Sequence, residues 1–151
     1  MKKTLTLSSI TALVILLLVQ TSGNDAHSNN AGAPAGRTGS PADGQTCSAG
    51  GCHSGAVNPS ATQIISSNVP LTGYIGGQTY TITAACAQTS INRYGFQISP
   101  QAVNGALQGQ LIITSPNTTK IVSTKYVTHT ASGTSGTGGK TWSFDWVAPV
   151  A

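Results

Sequence analysis

Beyond residue 59 the chain alternates short β-branched and apolar runs with turn residues: QIISSNV, TYTITAACA, RYGFQIS, GQLIITS, TKIVSTKYVT and TWSFDWVA. Several of these runs alternate with period two, the pattern of a strand with one face buried. In TYTITAAC the side chains of Tyr80, Ile82, Ala84 and Cys86 share a face, and in TWSFDW those of Trp142, Phe144 and Trp146 do. Threonine and serine fill the opposite faces. No stretch past the N-terminal apolar run spaces its apolar residues by three and four, so few helices are expected. Six short strands separated by turn signals predict an all-β, antiparallel β-sandwich over residues 59–151. Tyr80, Ile82, Phe96, Ile112, Trp142 and Phe144 are expected to face inward. YIGGQ and SPNTT carry the glycine, proline and asparagine of tight turns, and HTASGTSGTGGKTW reads as a flexible loop.

The first residues follow a different pattern. Two lysines precede a mostly apolar run from Leu5 to Val19, and small and polar residues follow it. The strongest apolar part, ALVILLLV, is shorter than the roughly 20 residues that span a bilayer. Residues 1–23 therefore read as a secretory signal peptide, with no membrane span after its removal. That places the mature protein outside the cytoplasm: secreted, periplasmic or at the cell surface. Residues 24–58 form an irregular leader, almost wholly Gly, Ala, Ser, Asn, Pro and Asp, with too little apolar surface to fold by itself. Its stretch from Asn24 to about Asp43 is expected to be mobile without a ligand.

Charge narrows the partners. The whole chain is formally +4, but Lys2 and Lys3 leave with the signal. Arg37, Arg93, Lys120, Lys125 and Lys140 then stand against Asp25, Asp43 and Asp145, five minus three, a net of +2. The basic residues are scattered without aromatic interleaving, which argues against nucleic acid as a partner. Only 7% of residues are charged, so the surface of this β-protein is expected to be covered by hydroxyls and amides.

The concentrated chemistry lies in the leader, where TCSAGGCHSG holds Cys47, Cys52 and His53. Three readings fit these residues. Covalent haem attachment takes two thiols and a histidine beside the second, in a longer version of the usual C-x-x-C-H run. In an oxidising compartment Cys47 and Cys52 could instead close a disulfide loop that staples the leader. A metal site would use His53, the cysteines and a fourth ligand, His129 or Cys86. His129, in YVTHTASGT, is also the better candidate for a second axial haem ligand, since His27 lies in the leader and Met1 leaves with the signal. Cys86 is expected to be buried and inert.

The runs GAPAGRTGSPADGQTCSAGGCHSG, GYIGGQTYTI, RYGFQIS, YVTHTASGT and WSFDWVAP resemble the choice-of-anchor V family. These are secreted bacterial proteins with a Reeler-like, immunoglobulin-type sandwich and an N-terminal cytochrome c-like Cys/Cys-His motif. The resemblance covers about Gly32 to the end. It implies a haem c at Cys47, Cys52 and His53, with His129 completing the iron; such a module would work with a redox partner or cell-surface component. It also implies a C-terminally truncated sandwich, since relatives continue past the last motif; many also have two residues, not four, between the cysteines. The alternative is a non-catalytic surface or adhesion module with a Cys47–Cys52 disulfide.

Nothing in the sequence favours an enzyme. The acids are few and far apart, no G-x-S-x-G elbow occurs, and no glycine loop opens a helix. Asn117-Thr118-Thr119 matches a glycosylation acceptor but reads as a turn.

Overall fold

The computed structural model describes residues 29–48 and 61–150. The expected signal peptide, His27, Cys52 and His53 lie outside the described residues. Seven strands occur among them, and no helix: β1 (Thr62–Ser67), β2 (Thr79–Ala87), β3 (Gln97–Ile98), β4 (Gln110–Ile112), β5 (Thr119–Val122), β6 (Tyr126–His129) and β7 (Gly139–Val147). They form two antiparallel sheets, one ordered β1-β2-β7-β4 and the other β3-β6-β5. The all-β sandwich expected from the alternation is therefore present.

The nine-residue pair β2 and β7 is its spine. The register sets Tyr80 opposite Trp146, Ile82 opposite Phe144 and Ala84 opposite Trp142, which gathers the apolar face. Across the other face the Thr81 hydroxyl donates to Asp145 at 2.8 Å, and Thr83 meets Ser143 at 3.3 Å. Period two has thus sorted apolar from polar side chains. The core comprises Ala84, Phe96, Leu111, Val127, Trp142 and Phe144. Its centre is the tilted contact of Phe96 with Trp142, ring centroids 4.6 Å apart.

Two expectations about the strands need correction. Ile112 is 39% exposed, and Leu111, at 7%, takes the inner position because it lies opposite Trp146 on β7. With Leu and Ile adjacent in GQLIITS, apolar content alone does not set the phase, and a one-residue slip exchanges the faces. RYGFQIS contributes only the two residues of β3.

The glycine-rich segment after β6 is held rather than loose. Tyr94 N–H donates to Thr134 O at 2.8 Å, Gly136 N–H to Asn92 O at 3.1 Å and Gly138 N–H to Ile91 O at 3.0 Å. The Trp142 indole donates to Gly133 O at 2.8 Å. Gly133 is required there because a Cβ would collide with the Thr118 carbonyl. The glycines admit close backbone approach, and the hydrogen bonds then fix the segment.

The described leader residues also pack on the sandwich. They have little regular structure beyond an isolated bridge from Thr38 to Thr46, yet they cover the outer face of the small sheet. All four β6 residues are consequently buried, Val127 by the core and Thr128 beneath the leader. Ala33 N–H donates to the Thr128 hydroxyl at 3.0 Å, Arg37 N–H to Gln97 Oε1 at 2.6 Å, and Gln97 Nε2 to Pro34 O at 2.8 Å. The leader is anchored by polar groups rather than apolar ones, so a reading based on apolar surface missed it.

Asp43 closes this clasp. The Tyr126 hydroxyl donates to its Oδ1 at 2.8 Å, and the Thr38 hydroxyl donates to Oδ2. Burial opposes the Asp43 charge, but hydrogen bonds from Thr38, Tyr126 and Gln101 outweigh it and hold the carboxyl below its ordinary value. A depressed folded pKa contributes stability that is complete above the unfolded value and is lost as pH falls through the folded one. Protection factors at residues 38–46 should therefore be level above about pH 4 and decline below it. Asp43→Asn should remove that acid transition. An unchanged transition in the variant would assign it to another group.

By contrast, β1 is exposed along its whole length, with Ile64 at 54% and Ile65 at 68%. Ile65 lies opposite buried Ala84, so it points to the core side yet stays exposed. The strand carries no Lys or Pro, leaving an edge without the usual protection against pairing.

Candidate functional site

Between the leader and the β3–β6 end of the small sheet is a cavity of about 380 Å³. His129 reaches it from the end of β6. Its ring rests on Gly95, where an added Cβ would lie 2.5 Å from the ring carbon Cε1. Nδ1 accepts the Phe96 N–H at 3.2 Å, and Nε2 lies 3.2 Å from the Asn29 carbonyl. An accepting Nδ1 requires the proton on Nε2, so the ring donates to Asn29 O. At 7% exposure, His129 is a buried ring with both nitrogens engaged by backbone.

Cys47 lines the same cavity, its thiol 3.8 Å from Arg37 O as donor. The fold thus brings together Cys47 and His129, two of the four residues singled out in the sequence. Cys52 and His53 lie outside the described residues. Cys86 does not line the cavity; it sits on β2 against the core, where burial pushes its thiol up and keeps it protonated. Among the described residues, no three His, Cys, Asp or Glu side chains cluster as metal ligands.

The cavity is at the small end of the about 300–1,000 Å³ range of ligand sites. It suits one edge of a tetrapyrrole rather than the entire ring. Its lining joins Ala33, Pro34 and Phe96 to Asn30, Arg37 and Arg93. For Nε2 of His129 to serve as a metal donor, the ring proton would have to move to Nδ1, giving up both the bond to Asn29 O and the one accepted from the Phe96 N–H. The described lining thus fits a haem only as far as one thiol, Cys47, and, after that exchange, one histidine, His129.

Arg37 and Arg93 were not anticipated as site residues. Arg93 Nη1 donates to the Thr134 hydroxyl at 2.9 Å, while Arg37 Nε is buried with no acceptor among the described residues. An unsatisfied buried donor costs about 1–3 kcal/mol, more when charged. No sequence pattern links them, because leader packing alone makes them neighbours of one cavity. Comparison with protein-family profiles, curated proteins and solved structures finds no match to this chain.

Proposed function

We propose that the protein is an exported electron-transfer or haem-binding module of the choice-of-anchor V type. Cys47 and Cys52 would hold a c-type haem through thioethers, and His53 and His129 would be its nitrogen donors. The observation supporting this reading is that Cys47 and His129, distant in sequence, border one cavity beside an apolar wall. The haem supplies one-electron chemistry when bound. The leader positions Cys47, buried Phe96 helps exclude water, and Gly95 leaves room for the His129 ring. The signal peptide delivers the chain to the compartment where thioethers are formed, and a redox partner or cell-surface component receives or supplies the electron.

Mass spectrometry of the mature protein, co-expressed with haem-attachment machinery, tests this reading. One added haem that survives denaturation is expected, because each thiol adds across a vinyl group without losing atoms. A Soret band should accompany it. His129→Ala should alter the iron's coordination without releasing the haem. A mass lighter by two hydrogens, with a Cys47–Cys52 disulfide and no Soret band, would overturn it.

That outcome would favour the second reading, a surface or adhesion module with a stapled leader. The observation behind it is that both His129 ring nitrogens already bond backbone groups.

A further inference from the structure

The cavity has a charge character that thioether attachment does not use. Arg37, carried by the leader, and Arg93, just before β3, both line it, and among the described residues no acidic side chain does. The described carboxylates are engaged elsewhere, Asp43 with Thr38 and Tyr126, Asp145 with Thr81. Arg93 has a neutral hydroxyl as its partner, and the Arg37 Nε–H is sealed from solvent with no acceptor among the described residues. A guanidinium stays charged and presents paired N–H groups that match the two oxygens of a carboxylate. Next to these cations stand Ala33, Pro34 and Phe96, an apolar wall that a bare inorganic anion would leave uncovered.

We propose that the cavity is a binding site for an apolar ligand bearing a carboxylate, with Arg37 and Arg93 taking the carboxylate and Phe96, Ala33 and Pro34 taking the body. This goes beyond haem attachment, since the propionates of a tetrapyrrole and the carboxylate of a smaller apolar acid present the same group. The fold makes such a site conditional on the leader: Arg37 belongs to the strap and Arg93 to the sandwich, so the clamp is complete only when the two are docked.

The test uses the mature chain produced without haem-attachment machinery, so its outcome is independent of the mass measurement above. Trp142 is the reporter, because its ring lies against Phe96 in the cavity wall. Two acid and neutral pairs are titrated: 3-phenylpropanoate against 3-phenylpropanamide, and protoporphyrin IX against its dimethyl ester. In at least one pair the acid should bind tenfold or more tightly than its neutral partner. Arg37→Gln and Arg93→Gln should each abolish that advantage, while Lys140→Gln, outside the cavity, should retain it. An advantage confined to the porphyrin pair identifies tetrapyrrole propionates as the source. An advantage in the phenylpropanoate pair identifies free apolar acids. Equal affinity of acid and neutral form in both pairs overturns the proposal, as does an advantage that survives in both arginine variants. Should a variant fail to fold, the comparison in the unaltered protein decides the matter.

Discussion

Trp142→Ala is expected to lower the unfolding free energy by about 3–5 kcal/mol. The side chain is 1% exposed, lies opposite Ala84 at the middle of the β2–β7 spine, and contacts Phe96 across the two sheets. Truncation removes this packing and leaves a cavity that the paired strands cannot readily collapse. It also strips the Gly133 carbonyl of its indole donor. Since a small domain has about 5–15 kcal/mol in total, the variant should lie close to unfolding. Trp142→Phe separates the two contributions. It retains most of the ring but loses the donor, and should cost about 1–3 kcal/mol. It should also speed amide exchange at Tyr94, whose N–H bonds the glycine-rich segment at Thr134 O. Urea unfolding with an unchanged slope measures both variants. A Trp142→Phe protein with wild-type stability and wild-type Tyr94 exchange would show that the indole bond does not hold that segment.

The contrast between these positions and the leader explains what could be read from the sequence. Tyr80, Ile82, Phe144 and Trp142 announced their face because each strand is long enough for alternation to repeat, and the register then paired like with like. GQLIITS held two adjacent apolar residues, and only the register opposite Trp146 decided between Leu111 and Ile112. The glycine-rich segment was misjudged because glycine reports permission for close approach, not whether a partner is there to accept it. The site was half legible. Cys47 and His129 stood out by residue type, whereas Arg37 and Arg93 acquire meaning only from the docking of the leader, which no local periodicity records.

One of the hydrogen bonds that dock the leader runs to a buried hydroxyl, and Thr128→Val should loosen the leader there. Thr128 is fully buried; its Oγ1 accepts the Ala33 N–H at 3.0 Å and donates to Phe96 O at 2.7 Å. Valine preserves the shape but leaves a buried donor and a buried acceptor without this partner, at about 1–3 kcal/mol for each group. The two groups differ in their escape. Phe96 O is fixed beside β3 in the sandwich, whereas Ala33 can regain water if the leader lifts. The cost should therefore appear as local opening: amide exchange across residues 33–46 should rise roughly ten- to a hundredfold. Exchange in β2 and β7 should change far less. Because Arg37 and Cys47 travel with the leader while Arg93 and His129 stay with the sandwich, the same substitution should also dismantle the cavity and weaken any preference for a carboxylate over its neutral analogue. Thr128→Ser keeps the hydroxyl and should restore most of the protection. Wild-type exchange throughout residues 33–46 in Thr128→Val would mean that Gln97 and Asp43 hold the leader without Thr128, and that the strap is not gated at this bond.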